Sequence, residues 1–141
     1  MTGMYGTYQH SLDAKGRLFI PARLRDELGE EFFVTISPER CLTAYSIKSW
    51  ESMLAKISER PKMDQRKVRS IFSHAAPVEL DGQGRILIPQ ALRDYAKLSK
   101  NVAVVGVGEC AQLWDADAWA AVDADETSPE YIASIFEELG I

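Results

Sequence analysis

The chain has 141 residues, of which 46% are hydrophobic and 26% are charged, and its formal net charge is −5. This composition is typical of a globular protein and not of a disordered one, and no apolar run is long enough to span a membrane. The N-terminus lacks the basic stretch and apolar core of a secretory signal, so we expect a cytoplasmic protein.

The net charge conceals a strong asymmetry along the chain. All 16 basic residues lie within residues 1–100, together with 12 acidic ones, whereas residues 101–141 contain nine acidic residues and no basic one. Binding to nucleic acid depends on the local number of phosphate contacts and not on the charge of the whole chain. The first hundred residues therefore permit a nucleic-acid partner.

A fifteen-residue pattern occurs twice, 68 positions apart. Residues 12–26 read LDAKGRLFIPARLRD and residues 80–94 read LDGQGRILIPQALRD, and the two copies agree at nine positions. Similarity continues beyond this block, because CLTAY and CAQLW align, each followed by a tryptophan. The repeat predicts two similar halves of about forty residues each.

In chain order, the first copy predicts strands, a tight turn and a helix. Alternation over residues 17–20 buries Leu18 and Ile20 and leaves Arg17 facing solvent or a partner. Gly16 supplies the positive φ that the preceding turn needs. The predicted elements are a strand at 8–12, a turn at 13–16, a strand at 17–20, a helix from Pro21 to Gly29, strands at 31–38 and 41–46, and a helix capped by Ser46.

The second copy predicts the same order, and two helical segments lie outside the repeat. One is a basic connector at 60–76, and the other is a final helix that runs from a cap at Ser128 to Gly140. Since one short hairpin per half would be marginally stable alone, we expect the halves to bury each other's apolar faces. The second-copy elements are a turn at 81–84, a strand at 85–88, a helix at 89–98, strands at 101–107 and 110–115, and a short helix around Trp119.

The repeated residues do not form a catalytic or metal-binding group. Neither D-x-x-x-R turn supplies a second carboxylate, and His10 and His74 lie outside the repeated block. No phosphate-binding loop is present, and Cys41 and Cys110 have no nearby partners that would complete a zinc site. We therefore predict that the protein is not an enzyme and has no catalytic residues, metal, cofactor or small-molecule substrate.

The aspartates of the two turns are predicted to have a structural role. Asp13 and Asp81 are expected to accept hydrogen bonds from the backbone N–H groups of their own turns, because a bare carboxylate would repel phosphate. Gly16 and Gly84 complete these turns. A surface ion pair with the aspartate remains the alternative role for the arginine that follows each turn.

The basic residues around the turns are candidates for contact with double-stranded DNA. A two-stranded ribbon fits the major groove, and a guanidinium can bond both acceptors of a guanine edge, while residues on the next helix are better placed for phosphates. The second copy has Gln83 and Ala91 in place of two of these cations, so the first copy should supply more electrostatic contact. The candidates are Lys15, Arg17, Arg23, Arg25, Arg85 and Arg93.

The basic connector has two readings that the sequence leaves open. It could contact phosphates, or it could be a solvated helix face that pairs with the acidic C-terminal third of a neighbouring copy. The cations concerned are Arg60, Lys62, Arg66, Lys67 and Arg69.

The doubled LDxxGR[LI]xIPxxLRD pattern, the aligned C-x-x-x-[YW] strands and the intervening helix resemble the MraZ family. The resemblance covers nearly the whole chain and implies an α+β fold. Two AbrB-like swapped-hairpin halves would form one intrachain, pseudo-symmetric β-barrel flanked by helices. The implied divisions are DNA-binding repeats at 5–47 and 76–119, a helical connector at 48–75 and an acidic C-terminal helix at 120–141.

The resemblance also implies a function. MraZ proteins form rings that bind short direct repeats upstream of the division and cell-wall gene cluster that includes their own gene, and the usual outcome is repression. The resemblance places DNA contact on the basic residues around the D-x-x-x-R turns. We therefore expect a ring-forming, sequence-specific DNA-binding repressor in the cytoplasm, associated with the nucleoid. The alternatives are an oligomeric structural or interaction protein and an AbrB-fold antitoxin without promoter-specific binding.

Overall fold

A computed structural model describes residues 2–141, except for the side chains of residues 62–64. The side chain of Lys62 in the predicted basic connector therefore lies outside the described residues. The strands are β1 (Thr7–Ser11), β2 (Arg17–Phe19), β3 (Glu31–Ser37), β4 (Cys41–Ser46), β5 (Ala76–Glu79), β6 (Arg85–Leu87), β7 (Asn101–Gly106) and β8 (Ala111–Asp115). The helices are α1 (Ala22–Leu28), α2 (Ile47–Ser58), α3 (Lys62–Lys67), α4 (Arg69–Ser73), α5 (Gln90–Tyr95), α6 (Ala116–Glu126) and α7 (Pro129–Leu139).

Strands from the two copies are interleaved. The larger sheet has the order β1-β7-β8-β4-β3-β5 with antiparallel neighbours, and β2 and β6 form a separate antiparallel ribbon. β1 of the first copy pairs with β7 of the second, and β5 of the second pairs with β3 of the first. The segments 5–47 and 76–119 therefore share both sheets.

The expected closed β-barrel is not found among the described residues. β1 and β5 are the two edges of the six-stranded sheet, and each pairs with a single strand. A barrel needs continuous pairing around its circumference, but the three-residue strands β2 and β6 pair with each other instead of joining those edges. The α+β class is confirmed, with an antiparallel sheet and several helices.

Each repeated turn was expected to join the two strands of a short hairpin. Among the described residues, the two strands are hydrogen-bonded to each other only at the turn itself. Asp13 N–H donates to the carbonyl of Arg17 over 3.0 Å, but the flanking strands β1 and β2 then pair with β7 and β6. Pairing β2 with β6 sets Leu18 opposite Ile86, and both side chains are almost completely buried. Burial of each aliphatic side chain contributes roughly 1.5–3 kcal/mol, which favours this exchange between copies.

Helix α1 follows the predicted pattern with a shift of one residue at its start. Pro21 precedes the helix as its cap, with φ −56° and ψ 142°, and is not its first helical residue. Leu24 and Leu28 are buried as predicted, and Gly29 ends the helix with φ 86°. The equivalent positions of the second copy, Leu92 in α5 and Ala96 just after it, belong to the same core.

The connector differs from the single predicted helix. It breaks at Val68, whose φ of −95° and ψ of 3° separate α3 from α4. Phe72 from α4 contacts the Trp50 ring edge-on, with ring centroids 5.8 Å apart. Strand β5 follows the connector. The sequence pattern does not predict this strand because Pro77 lies within it. Proline is tolerated here because β5 is an edge strand.

Helix α7 has the predicted ends but an exposed apolar face. The Ser128 hydroxyl accepts a hydrogen bond from the N–H of Tyr131, and Gly140 ends the helix with φ 74°. Phe136 is 52% exposed and Leu139 is 64% exposed. Within the described part of the chain, no helix has the length and apolar character needed to cross a membrane.

Candidate nucleic-acid interface

The first repeated turn closes around the carboxylate of Asp13. Its Oδ1 accepts the backbone N–H of Lys15 over 3.0 Å and that of Arg17 over 2.8 Å. The N–H of Gly16 donates to the carbonyl of Asp13 over 3.0 Å, and Gly16 has φ 88°. These contacts belong to residues within four positions of one another, so the sequence LDAKGR specifies the turn locally.

The second turn repeats this geometry. Oδ1 of Asp81 accepts the backbone N–H of Gln83 over 2.8 Å and that of Arg85 over 3.0 Å. Gly84 has φ 77°, and its N–H donates to the carbonyl of Asp81 over 3.0 Å. The change from Lys15 to Gln83 therefore alters charge and leaves the backbone of the turn unchanged.

Both turn aspartates remain ionised at neutral pH. The backbone N–H of Arg17 lowers the pKa of Asp13, and the side chain of Arg17 lowers it further. The backbone N–H of Arg85 likewise lowers the pKa of Asp81. In each turn one carboxylate oxygen closes the backbone, and the other is free to orient an arginine.

The arginines that follow the turns are held at Nε. Arg17 Nε donates to Oδ2 of Asp13 over 2.7 Å, and Arg85 Nε donates to Oδ2 of Asp81 over 2.9 Å. Nη1 of Arg85 also lies 3.8 Å from Oδ2 of Asp13, so the two turns are adjacent. The Nη groups of Arg17 have no other partner among the described residues, and the Nε bond restricts the side chain before any ligand arrives.

The β2–β6 ribbon presents one buried and one outward face. Its register pairs Leu18 with Ile86, and these side chains enter the core. The flanking pairs point to the opposite side because successive residues of a strand alternate between faces. The outward face carries Arg17, Phe19, Arg85 and Leu87.

Lys15 and Arg23 are exposed cations beside this ribbon. Lys15 lies in the first turn and Arg23 in the first turn of α1. Neither forms an ion pair with another of the described residues. Both ammonium and guanidinium groups are therefore available to an anionic partner.

Arg25 and Arg93 occupy a different environment from the other four candidates. Both are half-buried, and each lies against the turn glycine of the opposite copy. The Arg25 guanidinium lies 5.1 Å from the centre of the Phe19 ring and next to Gly84. Arg93 lies next to Gly16, and its Nε donates to the carbonyl of Ile88 over 2.9 Å.

A Cβ atom at either turn glycine would collide with the arginine beside it. A Cβ on Gly16 would come within 2.7 Å of Cζ of Arg93, and one on Gly84 would meet a terminal nitrogen of Arg25 still more closely. Glycine is thus favoured in each turn by its positive φ, and a larger residue there would also displace the end of the arginine side chain. When the two copies of the repeat are aligned, glycine and arginine are separated by the same number of residues in each. The contact of each arginine with the glycine of the other copy, however, depends on the interleaved fold.

Two outward residues of the ribbon, Phe19 and Leu87, were not among the predicted site residues. The alternation over residues 17–20 already placed Phe19 on the outward side, and that periodicity was the available signal. Phe19 contacts the ring of His10, with centroids 4.9 Å apart, whereas Leu87 is 57% exposed. The pairing of β2 with β6 brings both onto the face that carries the two arginines.

The fold and the paired turns define a tandem-repeat α+β protein with two adjacent D-x-x-x-R turns. The family model described as "MraZ protein, putative antitoxin-like" matches residues 4–69 and 71–131. The chain belongs to the MraZ family.

Curated relatives agree with the family match over most of the chain. The Transcriptional regulator MraZ of Acetivibrio thermocellus is 47% identical over 141 residues, which cover 97% of this chain and 99% of that protein. The protein of the same name from Caldicellulosiruptor saccharolyticus is 43% identical over 142 residues, covering 98% and 99%. That of Carboxydothermus hydrogenoformans is 47% identical over 117 residues, covering 81% and 82%. These names support a transcription regulator and indicate no catalytic activity.

Proposed function

We propose that this chain is a sequence-specific DNA-binding transcription regulator that places the β2–β6 ribbon in the major groove. The observation that carries the proposal is the pair of arginines on the outward face of the ribbon. Arg17 and Arg85 are each held at Nε by the aspartate of their own turn. A guanidinium held in this way can offer its terminal N–H groups to the two acceptors of a guanine edge.

The remaining candidate residues divide into two roles. Lys15 and Arg23, exposed and without ion pairs to described residues, contact phosphates on either side of the groove. Arg25 and Arg93 each pack against the glycine of the opposite turn and hold that turn in position. This role differs from the phosphate contact predicted from sequence. Support for this role comes from their contacts with the glycine of the opposite turn and from the hydrogen bond of Arg93 to the carbonyl of Ile88.

Several copies of the chain assemble head to tail, through α7 of one copy and a groove of the next. The apolar face of α7 is exposed and accompanied by acidic residues. The groove, about 740 Å³ in volume, combines apolar side chains from α2, from α4 and from the break before α4 with Arg66 and Arg69. Its apolar lining is Leu54, Ile57, Val68 and Phe72. The two surfaces are complementary in charge, and both leave apolar area exposed.

This mode of assembly has consequences for DNA binding. A contact between two different surfaces is heterologous, and it closes into a ring when the rotation between copies permits. A ring holds several ribbons at once, so binding to successive direct repeats exceeds the affinity of one ribbon by about 10²–10⁴. This also explains how a net-acidic chain with few basic contacts per copy binds DNA.

The target and cellular role follow from the family. We assign to this chain repression of the division and cell-wall gene cluster that includes its own gene, in the cytoplasm and at the nucleoid. The family resemblance supports this assignment, and the names of the relatives support its coarser part, transcription regulation. The two interleaved halves are assigned to the swapped-hairpin type, supported by the reciprocal pairing of β1 with β7 and of β5 with β3.

Gel-shift titration on DNA upstream of the protein's own gene tests the ribbon. Arg17→Ala should weaken binding by roughly 1–3 kcal/mol and relax sequence preference, since it removes a base contact. Arg23→Ala should weaken all sequences alike and reduce the dependence on salt by about one phosphate. Lys48→Ala, an exposed lysine on α2, is the control and should leave affinity unchanged. Unchanged affinity in Arg17→Ala would exclude the ribbon as the reading element.

Light scattering tests the assembly separately. Phe136→Asp places a charge on the apolar face of α7 and should convert the oligomer to smaller species, whereas Tyr5→Ser, at an exposed aromatic outside α7, should not. An oligomer that persists in Phe136→Asp would refute α7 as the contact.

An antitoxin is the second candidate, because the matching family description includes the words antitoxin-like. An antitoxin of this fold would typically combine one AbrB-like half with a disordered tail, whereas this chain has two copies and a C-terminal helix. Footprinting separates the candidates. Evenly spaced protected repeats upstream of the gene favour the regulator, and their absence favours an antitoxin or a structural protein.

A further inference from the structure

Leu87 is an exposed apolar residue on the proposed DNA-binding surface, at one end of the ribbon. Its side chain is 57% exposed, although its neighbours Ile86 and Ile88 are buried. Single exposed leucines are common on protein surfaces and need no explanation by themselves. This one, however, is the direct cross-strand partner of Arg17 on the outward face of the ribbon.

The equivalent position in the first copy is covered. Phe19 lies between the ring of His10, at 4.9 Å, and the guanidinium of Arg25, at 5.1 Å. The counterpart of that guanidinium in the second copy is Arg93, which is directed to the carbonyl of Ile88 and leaves Leu87 open. Because these two arginine side chains point in different directions, the outward face of the ribbon is covered at Phe19 and open at Leu87.

The arginines at the two ends of the ribbon differ in the same sense. Arg85, beside the covered Phe19, has a second carboxylate within 3.8 Å of its Nη1. Arg17, beside the open Leu87, is held only at Nε among the described residues. At one end, the Nη groups of Arg17 lie next to an exposed apolar side chain and have no second carboxylate nearby among the described residues. At the other end, the apolar side chain is covered and Nη1 of Arg85 lies near a second carboxylate.

We propose that Leu87 contacts the 5-methyl group of a thymine next to the guanine bound by Arg17. The inference rests on the proposed DNA-binding function. The methyl group of thymine is the apolar feature of the major-groove edge, and apolar side chains recognise it. Directly paired residues of antiparallel strands lie about 4.5–5.5 Å apart, and neighbouring bases rise by about 3.4 Å, so one pair of side chains reaches two adjacent base pairs.

The asymmetry gives the protein a reading direction. A ribbon with two equal ends would read a site with two-fold symmetry, because each end would contact the same bases. Only one end carries the open leucine and an arginine whose Nη groups have no second carboxylate nearby among the described residues, so each copy reads a directional element. Directional elements are repeated head to tail, which agrees with a heterologous assembly on direct repeats.

The test uses DNA duplexes selected by the wild-type protein from a randomised pool. Each thymine is replaced singly by uracil, which removes only the methyl group. At one position the wild-type protein should lose about fourfold in affinity, the effect of one buried methyl group. Leu87→Ala should bind the thymine duplex more weakly and should no longer distinguish thymine from uracil at that position. Val107→Ala, at an exposed valine outside the ribbon, should distinguish them as the wild type does.

The outcomes separate this inference from the proposed function. If uracil is tolerated at every position, or if Leu87→Ala discriminates as the wild type does, the thymine contact is wrong. In that case a loss of affinity in Arg17→Ala would still support the ribbon as the DNA-binding element. If no duplex is selected from the pool, both the inference and the proposed function fail. An unchanged urea midpoint for Leu87→Ala verifies that the variant is folded.

Discussion

The turn glycine of the second copy provides the sharpest test of the interleaved turns. Gly84 has φ 77°, and it lies under the guanidinium of Arg25 from the opposite copy. In Gly84→Ala, the new Cβ would lie 3.0 Å from Cζ of Arg25 and 3.2 Å from Cε1 of Phe19, and closer still to Nη1 of Arg25. The substitution therefore strains the backbone and displaces the arginine.

The two costs can be estimated separately. A side chain in the left-handed region costs roughly 1–2 kcal/mol. Loss of the contact between the Arg25 guanidinium and the Phe19 ring, which are both half-buried, costs about 0.5–1 kcal/mol. The expected decrease in the free energy of unfolding is therefore about 1.5–3 kcal/mol. Gly82 is the matched control, because its φ lies outside the left-handed region and a Cβ there meets nothing within 4 Å.

Urea denaturation measures the difference. For a urea dependence of about 1–3 kcal/mol per molar, Gly84→Ala should lower the midpoint by roughly 1 M. Gly82→Ala should leave it unchanged or raise it, because alanine restricts the unfolded chain. Equal midpoints for the two variants would refute both the left-handed backbone of Gly84 and the close approach of Arg25 to the second turn.

Three further predictions concern the core, a helix cap and the dependence on pH. Leu18→Ala removes a fully buried side chain and should destabilise by about 2–5 kcal/mol in urea, whereas Leu87→Ala should stay within about 0.5 kcal/mol. Ser46→Ala removes the cap of α2 and should cost about 0.5–2 kcal/mol, seen as a lower Tm by circular dichroism; an unchanged Tm would contradict that role. The pKa values of Asp13 and Asp81 are lowered from 3.8 by folding. Their contribution to stability is therefore complete above that value and is lost as pH falls through the lowered pKa. Asp13→Asn should flatten the acid limb of the stability curve, and an unchanged limb would argue against the turn contacts.

Much of the local structure could be predicted from the sequence. Gly16 and Gly84 predicted positive φ, the alternation around Leu18 predicted its burial, and Ser46 predicted a helix start. These features depend on side chains within a few positions of the backbone groups that they contact, so a short window of sequence contains their cause.

The pairing of strands could not be predicted from such a short stretch of sequence. The pattern predicted a hairpin at each turn and the family resemblance implied a closed barrel, whereas β2 pairs with β6 and the larger sheet keeps two edges. The repeat made both copies equally suitable partners for any strand. Burial of apolar surface decides between such pairings, and that burial depends on the whole fold.

Arg25 and Arg93 show most clearly which features the sequence determined and which only the tertiary structure decided. Arg25 and Arg93 occupy equivalent positions in the sequence, and the sequence determined only that each follows its turn by the same distance. The tertiary structure decided that Arg25 covers Phe19, while Arg93 bonds to Ile88 and leaves a leucine open. A side chain reaches across copies only after the chain has folded, so the duplication determined the shape that both halves share. Packing between the halves then decided which end of the ribbon is exposed.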